Sequence, residues 1–192
     1  MIDIEVKLKE IFSPFWEAPK ETWTEFAQKS IFRKFKKNEY LKETNSRELY
    51  LNIIIKGSAA VFYPNKGVNH CIDLCYENDF VCDYSSFLTQ KASVLFVKAV
   101  EEVELLSISH TNLNHLYKGS IIGSHIGRLA AEQLFMHKQA QQIDLLSLTA
   151  EERYIQLLER SSSNAFRTPQ KYIASYLGIT AESFSRIKRS LR

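Results

Sequence analysis

Residues 168–191 read TPQKYIASYLGITAESFSRIKRSL, and this stretch carries the most informative spacing in the chain. Thr168 can cap a helix that has Pro169 at its first position, where no backbone amide is needed, and Gly178 ends that helix. Thr180 can then cap a second helix. The stretch therefore predicts two short helices joined by a tight turn.

Apolar residues mark the inner face of both predicted helices. A helix-turn-helix needs a small residue where the helices touch, a glycine with positive φ in the turn, and a large core residue in the second helix. Ala174, Gly178 and Phe184 stand at these positions. The remaining inward positions are Ile173, Leu177, Ile187 and Leu191. This spacing predicts a helix-turn-helix.

The opposite face of the second helix is polar. Glu182, Arg186 and Arg189 follow one another at helical spacing, so we expect them to form one outward face. The fork of an arginine matches guanine O6 and N7, and a glutamate accepts from the cytosine amino group. The candidate DNA-binding residues are Thr168, Gln170, Thr180, Glu182, Ser183, Ser185, Arg186, Lys188 and Arg189. The alternative is a surface Glu182–Arg186 pair with no function beyond the helix.

The charge is unevenly distributed along the chain. The whole chain carries +3, but residues 151–192 hold 8 Lys or Arg against 4 Glu, so the first 150 residues sum to −1. An acidic body with a basic C-terminal end favours a module that binds nucleic acid, because clustered cations attract phosphates. The alternative is a solvated basic helix.

A helical period precedes this region. The positions alternate by steps of four and three, which is the pattern of a coiled-coil seam, over about 22 residues or roughly 33 Å. They are Ile122, Ile126, Leu129, Gln133, Met136, Ala140 and Ile143. We expect a two-fold dimer seam, and the alternative is a helix packed on its own sheet. A capping box of Thr149 and Glu152 begins the next helix, so we place a domain boundary near Leu146.

The first half of the chain changes from helical spacing to a period of two. Two short helices interrupted at Pro14 and Pro19 are expected before Ile31. Past Ile31, at least six short strands follow at close spacing, which favours an antiparallel barrel or jelly roll. The expected strands are 49–55, 58–63, 69–76, 80–83, 94–100 and 103–108. The fold class is therefore α+β.

Composition and residue types exclude several classes of protein. With 192 residues, 45% of them hydrophobic, the chain is globular, and no apolar run reaches the roughly 18 residues that span a bilayer. The N-terminus lacks the order of a signal peptide, so we expect a soluble cytoplasmic protein without a membrane partner.

The three cysteines, Cys71, Cys75 and Cys82, match no cluster spacing. We expect reduced thiols, with Cys71 and Cys75 on one face of a strand. Clustered histidines of the kind a metalloenzyme on a roll requires do not occur, and we find no nucleophile elbow or phosphate loop. The sequence predicts no enzyme, metal or cofactor.

The order of helices, β-roll, long helix and helix-turn-helix resembles the Crp/Fnr family of transcription regulators. The stretches 77–106 and 145–191 carry the resemblance, and LSLTAEERY (146–154) and PQKYIASYLGIT (169–180) are similar to a branch typical of Bacteroidetes. The resemblance implies a jelly-roll, cyclic-nucleotide-binding-like domain (1–118), a dimerisation helix (119–145) and a helix-turn-helix domain (146–192). It implies a dimeric regulator whose partners are double-stranded DNA, RNA polymerase and a small-molecule effector.

The family's phosphate-binding cassette is altered in this sequence. Members that bind cyclic nucleotides have Phe-Gly-Glu followed by Arg-Ser-Ala or Arg-Thr-Ala, whereas the matching positions here are 81–83 (VCD) and 93–95 (SVL). The arginine that pairs with the cyclic phosphate is thus a serine. We expect that cyclic AMP binding is lost, and the alternative is a cyclic-nucleotide response through other contacts. The candidate effector pocket comprises Val81, Cys82, Asp83, Tyr84, Ser85, Ser93 and Val94.

The sequence ends at Arg192, where the family usually continues into a β-wing that contacts the DNA backbone. We therefore expect DNA affinity to be weaker, or to depend more on Lys188, Arg189 and Arg192. The rival hypothesis is a ligand-binding or protein-interaction module whose helix-turn-helix no longer reads DNA.

Overall fold

The computed structural model describes residues 4–12, 18–119, 121–161 and 164–191, without the side chains of Ile121, Ile122, Ile126 and Gln133. Helices α1 (Ile4–Phe12) and α2 (Lys20–Lys29) open the chain, as the sequence predicts. The rings of Phe12 and Trp23 stack at 5.7 Å between centroids. Both helices pack their apolar faces on the sheet that contains Ile53 and Leu106.

Eight strands form the predicted roll. They are β1 (Ser30–Phe35), β2 (Tyr40–Lys42), β3 (Tyr50–Lys56), β4 (Ala59–Asn65), β5 (Val68–Cys75), β6 (Phe80–Val81), β7 (Phe96–Ala99) and β8 (Val103–Ser109). They make two four-stranded antiparallel sheets, with the orders β1-β8-β3-β6 and β2-β7-β4-β5. Ile54, Val97 and Leu105 are fully buried and pack in one core between the sheets. The jelly-roll prediction is confirmed.

A β-bulge in β5 changes which way its side chains face. Asp73 pairs with Val61 and Cys71 pairs with Phe62, so Ile72 is an additional residue without a partner on β4. The extra residue reverses the alternation of side chains along the strand. Cys71 therefore packs toward the C-terminal helices and Cys75 packs inside the roll. The expectation that these two thiols share one face was wrong.

Helix α3 (Tyr84–Thr89) lies within the roll, between β6 and β7. Two consecutive helices, α4 (His110–Gly119) and α5 (Ile121–Ser147), follow the last strand of the roll. Helix α5 has 27 residues and is about 40 Å long, and it ends two residues beyond the predicted limit at 145. Its seam position Leu129 is partly buried, Ala140 is exposed, and Met136 and Ile143 are 50% and 55% exposed. The side chains of Ile122, Ile126 and Gln133 lie outside the described part.

The C-terminal region is helical and packs directly on the roll. It comprises α6 (Ala150–Arg160), a 3₁₀ turn (Asn164–Arg167), α7 (Gln170–Tyr176) and α8 (Ala181–Ser190). Thr149 and Glu152 form the predicted capping box. Phe62 and Leu74 of the roll share one core with Phe184 and its helical neighbours. Among the described helices, none has the length and apolarity that a bilayer crossing requires.

Candidate nucleic-acid interface and effector cavity

The turn between α7 and α8 has the geometry that the sequence predicts. Gly178 has φ +71°, a left-handed conformation that glycine adopts without strain. The hydroxyl of Thr180 accepts from the Ser183 amide at 3.2 Å and caps α8. Phe184 is fully buried and meets Tyr154 edge-on at 4.9 Å between ring centroids. A local turn and one aromatic anchor thus orient α8.

The outer face of α8 is exposed, as its spacing predicts. Glu182, Arg186 and Arg189 are all exposed, and Arg186 makes one hydrogen bond within the helix, to Ser183 Oγ at 3.2 Å. Hydrogen bonds from its own backbone amide and from Thr180 hold the pKa of Glu182 below its ordinary value, with a smaller contribution from Arg186. The face therefore presents one ionised acceptor and two cationic donors to a partner.

The other predicted DNA contacts are distributed around this face. Gln170, Thr180 and Ser185 are exposed, and Ser183 and Lys188 are half-buried. Leu191 was predicted as a core position, but it is 42% exposed because α8 ends at Ser190 and Leu191 lies past the last turn.

The prediction for Thr168 needs correction. Thr168 is only 5% exposed, and its hydroxyl is hydrogen-bonded to the Tyr76 hydroxyl at 2.9 Å. Pro169, not Thr168, is the N-cap of α7, so the Thr168 side chain lies one residue too early to reach the free amides. In this arrangement Thr168 contacts the roll and is unavailable to a phosphate.

Polar bonds attach the C-terminal helices to the roll around the shared core. Arg167 Nη2 donates to both carboxylate oxygens of Glu77 at 2.7 and 2.8 Å, and Arg167 Nε lies 3.2 Å from a Glu101 oxygen. The Cys71 amide donates to Ser175 Oγ of α7 at 2.8 Å. These contacts join residues from 66 to 104 positions apart, so spacing within a motif does not predict them.

The side chains around Asp83 form a buried network of charged and polar groups. Asp83 caps α3 by accepting from the Ser86 amide, and its carboxylate accepts from Ser93 and lies 3.2 Å from Lys42 Nζ. The Lys42 and Asp83 side chains are each only 1% exposed. Burial raises the pKa of the neighbouring Glu48, which accepts from the Asp83 amide at 3.2 Å. The chain's own carboxylate thus occupies the first turn of α3, where an anion would bind.

A cavity of about 490 Å³ lies between the roll and α5. Four candidate pocket residues line it, namely Cys82, Asp83, Tyr84 and Ser85. Val81 instead packs in the roll core, Ser93 bonds to Asp83, and Val94 is exposed. The sequence did not predict the other walls of the cavity, which come from β3, β5, α4 and α5. Their residues include Leu51, Ile72, Asp73, Tyr117, Ala131, Leu134, Phe135 and Lys138.

One polar pair lies at the end of this cavity. Lys138 Nζ is 2.5 Å from Asp73 Oδ2, while Asp73 Oδ1 is buried without a hydrogen-bond partner. Burial also raises the pKa of the Cys82 thiol well above its ordinary value. Among the described residues, no cluster of three or more His, Cys, Asp or Glu side chains has the arrangement of a metal site.

Comparison with solved structures identifies the fold. FixK2 from Bradyrhizobium japonicum matches at 16% identity and a TM-score of 0.72, covering 84% of each chain. The regulator CLP of Xanthomonas campestris, described as responsive to c-di-GMP, matches at 17% identity and a TM-score of 0.68, covering 90% of this chain and 91% of that one. The catabolite activator protein of Thermus thermophilus matches at 19% identity and a TM-score of 0.56, covering 94% and 85%.

No protein-family sequence model and no curated protein matches the chain. The three structural matches cover 84% to 94% of this chain. The chain therefore has the fold of the Crp/Fnr regulators, which the sequence resemblance implies.

Proposed function

We propose that the protein is a DNA-binding transcription regulator of the Crp/Fnr type and not an enzyme. The observation that carries the proposal is the exposed face of α8, on which Glu182, Arg186 and Arg189 lie opposite the buried Phe184. An exposed helix that presents an arginine fork and a carboxylate on a rigid turn is suited to reading base edges in the major groove. The shared fold includes regulators, which supports the same function.

The proposal includes a homodimer formed along α5. Met136 and Ile143 of the predicted seam are half-exposed in the single chain, so a second copy would bury them. Two-fold pairing would place the two copies of α8 about 34 Å apart, one turn of B-DNA, and the bound site would be nearly palindromic. We propose the domains 1–118, 119–145 and 146–192 for this assembly, with RNA polymerase as a further partner.

The effector of this regulator is a small molecule other than cyclic AMP. Ser93 stands at the position of the family's phosphate-binding arginine, and its hydroxyl is engaged by Asp83. Lys42 neutralises Asp83 inside the roll and is only 1% exposed at its side chain, so neither charge is free for a cyclic phosphate.

A chain of hydrogen bonds connects the cavity to the helix-turn-helix. Asp73 pairs with Lys138, Lys138 donates to Gln141 at 3.2 Å, and Gln141 donates to the Tyr176 hydroxyl of α7 at 2.9 Å. A molecule that alters the Asp73–Lys138 pair would change the position of α5 relative to α7. The effector would thereby shift the population between arrangements of the two reading helices.

The experiment is selection of bound duplexes from a random library, followed by gel shifts at several salt concentrations. Arg186→Ala should relax selectivity at one base pair in each half-site, by about 1 to 3 kcal/mol. Lys188→Ala and Arg189→Ala should weaken binding to all sequences and lower the salt slope by about 1 each. Arg128→Ala is the matched control, because Arg128 is an exposed arginine on α5 that pairs with Glu132.

The result also decides between the alternatives. If no sequence is enriched and the three α8 variants behave like Arg128→Ala, the protein is a ligand-binding or interaction module that does not read DNA. Titration calorimetry with cyclic AMP and cyclic GMP tests the second alternative. Micromolar binding of either nucleotide would establish a cyclic-nucleotide response and contradict the proposed effector class.

A further inference from the structure

We infer that the cavity between the roll and α5 binds an uncharged, mostly apolar small molecule. The inference rests on the proposed function only where this molecule is taken to be the effector. The size of the cavity, its apolar walls and the pairing of the charged groups along them support the inference.

Size and wall chemistry define the body of the ligand. A volume of about 490 Å³ is typical of sites that enclose a small organic molecule. The walls are mainly aliphatic and aromatic, and they include Leu51, Val61, Ile72, Phe80, Tyr84, Leu95, Tyr117, Ala130, Leu134 and Phe135. Such walls favour a ligand whose surface is largely apolar.

The charged groups of the wall exclude an anionic ligand. Lys138 is the only basic side chain among the described residues that line the cavity, and it already pairs with Asp73 and bonds to Gln141. The carboxylate of Asp83 is likewise paired with Lys42. A carboxylate, sulfonate or phosphate in this cavity would be desolvated without a free cation to compensate it. A cationic ligand is disfavoured for the corresponding reason, since Lys138 and Lys42 already neutralise both carboxylates.

Two fluorescent probes with one skeleton test the inference. N-phenyl-1-naphthylamine is uncharged, apolar and has one N–H donor, and 1-anilinonaphthalene-8-sulfonate adds a sulfonate to the same rings. With the full-length protein, we expect saturable binding of the uncharged probe at one site per chain. The sulfonate should bind at least about tenfold more weakly, because its charge finds no partner. Equal or tighter binding of the sulfonate, or no binding of the uncharged probe, would overturn the inference.

Cavity-filling variants locate the site. Ala131 is an exposed residue of α5 that lines the cavity, so Ala131→Phe should fill the space without burying new surface in the core and should weaken probe binding about tenfold or more. Gln139→Phe adds the same ring at an exposed position of α5 and should leave binding unchanged. Leu134→Trp fills the cavity from the next turn and should repeat the loss. Unchanged binding in both cavity variants would place the probe elsewhere and overturn the inference.

Failure here is distinguishable from failure of the proposed function, because probe binding is measured without DNA. Selective DNA binding together with absent probe binding would overturn only the ligand class. Probe binding as expected, with no selected DNA sequence, would support the cavity assignment and contradict the regulator.

Discussion

At the scale of single residues, the carboxylate of Asp83 joins several groups of the chain in one buried network. It caps α3, accepts from Ser93 and pairs with Lys42 inside the roll. A helix N-terminus and a lysine, which together would attract an anion, are thereby satisfied by the chain itself. The buried charges at this place therefore have their partners within the chain.

The Lys42–Asp83 pair predicts a strong effect on stability. Lys42→Met should lower the free energy of unfolding by about 3 to 5 kcal/mol, because Asp83 would remain buried and charged without its partner. Asp83→Asn in the Lys42→Met background should recover part of that loss. Urea unfolding followed by circular dichroism measures both, and Lys37→Met in an exposed turn is the control. A Lys42→Met protein as stable as Lys37→Met would refute the buried pair.

At the scale of elements, α5 has two distinct faces with different roles. One face closes the cavity through Ala131 and Leu134, and another presents Met136 and Ile143 half-exposed. An exposed apolar patch on a helix of about 40 Å is the kind of surface that a partner helix covers. The proposed ligand site and the proposed dimer seam therefore lie on different faces of the same helix.

The dimer seam on α5 is open to a direct test. Met136→Glu should raise the dimer dissociation constant about tenfold or more, because pairing would bury two like charges in the seam. Sedimentation velocity over a concentration series measures the change. Gln139→Glu introduces the same charge on the same helix outside the seam and should leave dissociation unaltered. If both variants sediment like the parent protein, the assembly does not use this seam.

At the scale of the whole molecule, the roll and the C-terminal helices share one apolar core, and α8 remains exposed. The Tyr76–Thr168, Cys71–Ser175 and Arg167–Glu77 bonds surround that core. Helix α7 is thus held on the roll while the outer face of α8, with Glu182, Arg186 and Arg189, stays exposed. Because Phe184 anchors α8 in the same core, a movement of α5 and α7 would move α8 as a rigid unit.

The Arg167–Glu77 contact predicts a pH-dependent contribution to stability. Burial acts to raise the pKa of Glu77, but its own backbone amide, Arg167 and the Gly57 amide together hold that pKa below the ordinary value of 4.5. The folded protein therefore binds fewer protons at Glu77 than the unfolded chain, so this stabilisation is complete above pH 4.5 and is lost as the pH falls through the lowered pKa.

Glu77→Gln should accordingly lower the melting temperature at pH 7, and its difference from the parent protein should shrink as the pH falls from about 5 to about 3. Scanning calorimetry at several pH values measures that difference. Glu43→Gln, at an exposed position just after β2, should match the parent protein throughout. A Glu77→Gln difference that is constant with pH would show that the carboxylate charge does not contribute.

The predictions that the structure bears out concern neighbouring residues. The Thr149 capping box, the Thr180 cap and the positive φ of Gly178 each involve contacts within about three residues, so spacing alone identifies them. Periodicity likewise identifies the long α5 helix and six of the eight described strands of the roll, but it did not identify β1 and β2. The errors arise where a single residue shifts the position of a helix cap or the alternation of a strand. Pro169, not Thr168, is the N-cap of α7, and the additional residue Ile72 places Cys71 and Cys75 on different faces of β5.

The amino-acid sequence thus determined by itself the order of elements and the helix-turn-helix spacing, because these depend on local hydrogen bonds and periodicity. Only the tertiary structure decided that Lys42 neutralises Asp83, that Asp73 faces a cavity beside α5, and that α7 is held on the roll. Those contacts join residues from about 40 to more than 100 positions apart, and only packing of the sheets and helices brings them within bonding distance.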